Sequence, residues 1–311
     1  MRPSPAASPT ATADRPLWHP LCWPAWLGLG VLQLIAWLPH RLQRGLAAVL
    51  GRVLPWLLGG RRRVVRRNLA LCFPELDAAA RQSLEWANLR DSGYLLVEFA
   101  MAWMSSRRKI ARLRFTVHGM EHLEAARAAG RGILLVGAHM HHLELAGRLL
   151  TTRWPVAGMY REHADPAFEW AIRRARARYA TAMFRRDELR AAVRHLKAGG
   201  TLWYAPDQGY RRGEHVFVPF FGVPAATLTA THQLARLTGA VVIGFQHERC
   251  ADGSYTLTLH PPLADFPGRD AAADSARVNR LLEQCIRAAP AQYLWLHKRF
   301  KRQPEGQPSP Y

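Results

Sequence analysis

Three histidines and a glutamate crowd one short stretch: residues 132–146 read GILLVGAHMHHLELA, with His139, His141, His142 and Glu144. A histidine beside a carboxylate is suited to general-base work. The carboxylate keeps one imidazole nitrogen protonated and leaves the other free to take a hydroxyl proton during attack on an acyl carbonyl or thioester. His139 and Glu144 are five apart, roughly 140° around a regular helix, so they share no helix face. They meet only if a turn separates them. His141 and Glu144, three apart, would share a face and could instead form a structural hydrogen bond or supply two metal ligands. A metal needs further ligands, and neither H-E-x-x-H nor another compact His/Cys cluster is present, so no metal site is expected. Histidines that simply cap a helix are the plain alternative.

The elements that must position these residues read as α/β. Apolar runs at 132–138, 155–160, 200–205 and 240–246 have the length and β-branched content of buried strands. Segments 142–152, 165–180, 187–198 and 225–238 have helical composition, so the expected architecture is a mixed sheet covered by helices. His139 then stands at the C-terminal end of a strand, with Glu144 in the helix that follows.

Ahead of this domain the first sixteen residues, rich in Pro, Ala, Ser and Thr, read as a disordered tail. Leu17–Leu38 is nearly free of ionisable groups and about long enough to cross a bilayer, so a transmembrane anchor is expected over 17–39, with the domain that carries the histidine cluster over 40–311. Arg41, Arg44, Arg52, Arg61, Arg62, Arg63, Arg66 and Arg67 follow the span and only Arg2 and Arg15 precede it, which places the bulk of the chain in the cytoplasm. Leu42, Leu46, Val49, Leu50, Val53, Leu54 and Leu57 recur at helical spacing near 42–58. That stripe fits an amphipathic helix on the membrane surface or an ordinary core-facing helix equally well.

With 43 Lys and Arg against 23 Asp and Glu, a net charge of +20, the chain calls for an anionic partner. No helix-turn-helix, aromatic RNA platform or zinc module emerges, so nucleic acid is not expected and anionic lipid accounts for the charge. Cys22, Cys72, Cys250 and Cys285 lie far apart, which suggests neither a disulfide framework nor a zinc knuckle.

An ordered series of segments, RRNLALCFPEL at 66–76, His139-Met-His-His-Leu-Glu144, YR at 160–161, WYAPDQGY at 203–210, VFVPFFGVPAAT at 216–227 and YLWLHKRFK at 293–301, covers most of the chain from about residue 60 onward. In this series the chain resembles the late acyltransferases of lipid A biosynthesis, the lauroyl and myristoyl transferases, within the lysophospholipid acyltransferase superfamily. The resemblance implies a glycerolipid acyltransferase-like fold. It implies transfer of a fatty acyl chain from acyl carrier protein to a hydroxyl of a lipid A precursor of the Kdo-lipid IVA type, in the bacterial inner membrane and without a cofactor. It gives His139 the role of general base and Glu144 that of orienting it, with Arg161, Asp207 and Gln208 binding substrate. Without it, Arg161 reads as a surface arginine and Asp207 as a turn or cap. No Cys or Ser motif marks a nucleophile, so direct attack of the acceptor hydroxyl is expected. An acyltransferase acting on another membrane lipid, a glycerophospholipid or aminolipid, is the neighbouring alternative. Gly209, where related sequences often carry Asp, and Gly244, where a proline is usual, are departures that bear on the acceptor. His232 and His247 read as core or surface histidines. The arginines at 173, 174, 176 and 178 read as a solvated helix face, with docking of the acidic carrier protein as the functional alternative.

Overall fold

A computed structural model describes residues 16–57, 59–209 and 214–311. The expected N-terminal tail, up to residue 15, and Tyr210 of the WYAPDQGY segment lie outside the described residues. Four helices lead: α1 (Trp23–Trp37), α2 (His40–Leu57), α3 (Gly59–Cys72) and the long α4 (Ala78–Met104), capped by the Asp77 carboxylate, which accepts from Ala80 N at 2.7 Å. A single turn, α5 (Arg107–Ile110), then precedes the α/β body. Its first half runs β1 (Phe115–His118), α6 (Met120–Ala128), β2 (Ile133–Gly137), α7 (Leu143–Leu150), β3 (Ala157–Tyr160), α8 (Pro166–Arg176), β4 (Met183–Arg185), α9 (Leu189–Lys197) and β5 (Thr201–Tyr204). Its second half runs β6 (His215–Phe220), β7 (Val223–Leu228), α10 (Ala230–Thr238), β8 (Val241–Arg249), β9 (Tyr255–Leu259) and α11 (Ala271–Ala288).

Seven strands form one sheet in the order β1-β9-β8-β2-β5-β3-β4, with every neighbouring pair parallel except β8 and β9. All four expected strands are present as β2, β3, β5 and β8, and they lie side by side at its centre. β2 is buried at every residue, as a strand covered on both faces should be. Its alternation divides the core: Ile133 and Leu135 join one cluster with Leu145, Leu149 and Ile243, whereas Leu134 and Val136 join another with Leu196, Leu234 and Leu282. The helix expected over 225–238 starts only at Ala230, because residues 223–228 form β7, the second arm of a hairpin with β6. Phe221 and Gly222 both take positive φ, 52° and 74°, the two-residue turn whose twist matches a hairpin.

The stripe expected at 42–58 falls on α2, where Leu46, Leu50 and Leu54 are half-buried and the other four residues face outward. α2 turns Gln43, Ala47, Gly51 and Pro55 inward, while Leu42, Val49, Val53 and Leu57 face outward at 57, 55, 48 and 73% exposure. Small residues bring its backbone against α4: a Cβ on Gly51 would lie 2.0 Å from Arg90 O, and one on Gly93 would lie 2.2 Å from Gly51 N. α1 also lies along the domain rather than standing clear of it. Ala25, Leu29, Leu32, Ile35 and Ala36 are buried, and Trp23, Leu27, Val31, Leu34 and Trp37 are exposed. Its end is tied down by Lys109 Nζ, which donates to Ala36 O at 2.5 Å, and by Gln43 Nε2, which donates to Ile35 O at 2.9 Å.

Candidate active site

β2, β5 and β3 are adjacent and parallel, so their C-terminal ends open on one edge of the sheet, the edge where α/β folds place ligands. His139 follows β2, Asp207 follows β5 and Arg161 follows β3. The first two meet. His139 Nδ1 lies 2.5 Å from Asp207 Oδ1, and the His139 backbone N–H donates to Oδ2 at 3.0 Å. Tyr293 adds its hydroxyl to Oδ2 at 2.9 Å. Asp207 is completely buried, whereas the His139 side chain keeps 26% of its surface exposed. Burial pushes the Asp207 carboxyl up, but the facing imidazole and the three hydrogen bonds outweigh it and hold the group below its ordinary range. An ionised Asp207 accepts from Nδ1–H, which leaves the lone pair of the ring on Nε2, as general-base action needs.

The C-terminal segment supplies the other wall. Leu294 N donates to His139 O at 2.9 Å and His141 N to Gln292 O at 2.8 Å. Asn88 Nδ2 fixes Ala291 O and Tyr293 O at 2.8 and 2.7 Å, and Asn68 Nδ2 fixes Trp295 O and His297 O at 2.7 and 2.9 Å. The segments at 66–76 and 293–301 therefore meet each other and the His139 loop, which their separation in sequence conceals.

Glu144 does not orient His139. It lies in the first turn of α7, 7% exposed, and faces α4 and α8. Trp103 Nε1 donates to it at 2.9 Å, Arg176 Nε at 3.2 Å and the Tyr179 hydroxyl at 3.4 Å, with a further Arg176 contact through Nη2. Burial raises the Glu144 carboxyl, yet Arg176 and the other donors bring it below its ordinary value. The physical reason for the different pairing is that Asp207 already occupies Nδ1, while a buried Arg176 needs a counter-charge. Arg176 is thus not part of a solvated face, although Arg173, Arg174 and Arg178 are exposed.

His141 is also claimed, by Asp91: Nδ1 to Oδ2 is 2.8 Å. Arg249 bridges Asp91 to Glu98, which it meets at 2.9 Å, and Tyr255 donates to Glu98 at 2.7 Å. His142 Nε2 lies 3.0 Å from His247 Nδ1, with both rings buried and both pushed down in pKa by that burial, His247 to about 3. His232 pairs with Asp274 in the core at 2.8 Å. Arg161 is exposed at the same sheet edge, and Gln208 is half-buried beside Asp207. Among the described residues no three His, Cys, Asp or Glu side chains are grouped to hold a metal.

The family model for bacterial lipid A biosynthesis acyltransferases matches residues 11–302. The chain belongs to this family. It is an acyltransferase, similar to the lipid A biosynthesis lauroyltransferase of Escherichia coli (strain K12), with 41% identity over 297 residues, 95% of this chain and 97% of that one. The palmitoleoyltransferase of the same organism is 38% identical over 97% of this chain and 99% of its own length. The corresponding myristoyltransferase is 27% identical over 96% and 93%. In this acyltransferase, reading the sequence alone assigned Asp207 to substrate, put Arg176 on a solvated or docking face, and missed Trp103, Tyr179 and Tyr293. The signal for Asp207 was its place just past a buried strand, matching that of His139, but only the strand order makes those two ends neighbours.

Proposed function

We propose that this acyltransferase moves a fatty acyl chain from acyl carrier protein to a hydroxyl of a lipid A precursor of the Kdo-lipid IVA type, at the cytoplasmic face of the bacterial inner membrane. The observation that carries the reading is the half-exposed His139 held by a buried, ionised Asp207 at the open sheet edge, in a chain of this family. His139 Nε2 takes the acceptor hydroxyl proton as that oxygen attacks the thioester carbonyl. The tetrahedral intermediate then expels the carrier thiolate, to which the imidazolium returns the proton. Asp207 stays ionised throughout and stabilises the imidazolium. Glu144 serves as a positioning residue, seating α8 on α7 through Arg176. Arg161 and Gln208, on the same edge, bind substrate, the arginine through its fixed fork on a phosphate.

The exposed residues of α1 and α2 form the membrane-facing surface. The expected single-pass anchor falls on the helical stretch Pro20–Trp37, 18 residues long and apolar enough to cross a membrane by length and composition, roughly 27 Å at 1.5 Å per residue against a hydrocarbon core of about 30 Å. One of its faces is committed to the protein. The other face carries its exposed apolar side chains to lipid, so this stretch is the single-pass anchor that leaves the catalytic domain in the cytoplasm.

The test is mass spectrometry of products formed by the purified full-length enzyme, given acyl carrier protein thioester and either the glucosamine-based acceptor or a lysophospholipid. One added chain on the glucosamine lipid is expected, and it should vanish with His139→Ala. Acylation of the lysophospholipid alone would overturn the acceptor assignment. Reporters fused to each terminus check placement: periplasmic activity at the C-terminus sinks the use of cytoplasmic carrier, and cytoplasmic activity at the N-terminus sinks the crossing helix.

A further inference from the structure

A groove of about 320 Å³ runs between α1, α4 and α8. This is near the lower end of the range for small-molecule sites, about 300–1,000 Å³, so it suits one alkyl chain better than two. Its walls are apolar and aromatic, including Trp26, Gly30, Met104 and Trp170, and two arginines, Arg174 and Arg178, line it with no acidic residue among its lining. Trp103 closes its inner side, turning its indole N–H away toward Glu144 at 2.9 Å.

We propose that this groove binds one acyl chain of an anionic membrane phospholipid, with the headgroup phosphate held by Arg174 and Arg178. Three observations converge on that occupant. The groove adjoins the exposed apolar stripe of α1, proposed above to face lipid: at about 100° per residue, Trp26, Gly30 and Gln33 lie on the helical face next to Trp23, Leu27, Leu34 and Trp37. A chain leaving the bilayer therefore passes from that stripe into the groove without crossing water. The charge is complementary, because Arg174 and Arg178 are exposed and form no ion pair among the described residues, and Arg107 lies against the Arg178 carbonyl at 2.9 Å. Space is also available at the chain's path, since a Cβ built on Gly30 meets nothing within 4 Å. Substrate is the less fitting occupant: neither His139, Asp207 nor any residue of α7 lines the groove, and Trp103, which does, donates to Glu144 at the start of α7.

Native mass spectrometry of the full-length enzyme in detergent, titrated with phosphatidylglycerol or phosphatidylcholine of equal chain length, tests this. The wild type should retain one phosphatidylglycerol per chain in preference to phosphatidylcholine. Arg174→Gln with Arg178→Gln should weaken retention about 25-fold, roughly fivefold for each cation beside an anionic lipid. Gly30→Leu, which fills the groove, should weaken it about tenfold or more, while both variants still bind phosphatidylglycerol vesicles through α1 and α2. The arginine pair is on the surface, so its result stands even if Gly30→Leu fails to fold. Equal retention of the two lipids, or wild-type retention by the arginine variant, overturns the proposal. So does a Gly30→Leu protein that keeps its phosphatidylglycerol but loses acyl transfer, which would give the groove to the substrate. Acyl transfer measured without added phospholipid keeps a failure here separate from a failure of the enzymatic assignment.

Discussion

Asp207→Asn is the sharpest test of the His139 pairing, because the structure dictates how the amide must sit. Oδ2 receives two donors, the His139 N–H at 3.0 Å and the Tyr293 hydroxyl at 2.9 Å. The asparagine oxygen will take that place, since an amide nitrogen there would face two hydrogens. The amide NH2 is then aimed at His139 Nδ1, which must accept, so the ring proton moves to Nε2 and the base is lost. A positioned general base contributes about 10²–10⁴ in rate, or about 3–5 kcal/mol of barrier, and the expected drop in kcat has that size. KM should hardly move, because Asp207 is fully buried behind His139 and would act only through it. The assay is initial-rate acyl transfer with saturating donor and acceptor, alongside a thermal melt that should stay near wild type. Adding His139→Ala to the variant should cost little more, since the two act as a unit. A kcat within about threefold of wild type, or fully additive losses in the double variant, would refute the pairing.

Glu144→Gln leaves Arg176 buried without a counter-charge, and breaking such a pair costs about 3–5 kcal/mol. The thermal midpoint should fall sharply while the pH profile of kcat keeps its shape; a shifted profile with an unchanged melt would make Glu144 a base instead. Gly51→Ala places a Cβ 2.0 Å from Arg90 O and should destabilise by about 1–3 kcal/mol as α2 is pushed off α4. Gly30→Ala, with nothing within 4 Å, is its silent control, and equal melts for the two would contradict the close approach. His142 and His247 are buried and neutral in the fold, with pKa values pushed below the ordinary 6.5, His247 to about 3. The unfolded chain therefore binds more protons below pH 6.5, and stability present above that pH is lost as pH falls toward 3, by on the order of 1 kcal/mol per pH unit for each ring. Denaturant midpoints measured between pH 7.5 and 5 should decline accordingly, and a flat profile would show the two rings titrating in the fold as they do in the unfolded chain.

The central strands were legible because buried parallel strands are continuous apolar runs, and 132–138 and 240–246 are of that kind. The short outer strands at 115–118, 183–185 and 255–259 were not, since runs of three to five residues carry little pattern. His139 stood out from its neighbours and its family motif, whereas its partner did not. Asp207 lies 68 residues away, and nothing local says that β5 pairs with β2. The stripe of α2 was visible but its direction was not, because a leucine face turned to lipid and one turned to a core have the same period. The small residues on the opposite face, Ala47 and Gly51, permit the approach to α4 and leave Leu42, Val49, Val53 and Leu57 facing outward.

The five-residue spacing of His139 and Glu144 has its own physical meaning once the contacts are known. Between them the chain leaves β2, makes a turn held by Met140 N to Ala138 O at 2.8 Å and Leu143 N to Met140 O at 3.1 Å, and starts α7. The histidine is fixed by the sheet, where Leu135 pairs with Trp203 and so brings the ends of β2 and β5 together. The glutamate is fixed by the rotation of α7, which aims it at Arg176 on α8. One residue more in the turn would rotate α7 by about 100°, moving Glu144 off Arg176 while leaving His139 beside Asp207. The spacing therefore does not measure the reach of one side chain to the other. It measures the turn that lets a single short segment place a base at the sheet edge and a counter-charge beneath the neighbouring helix.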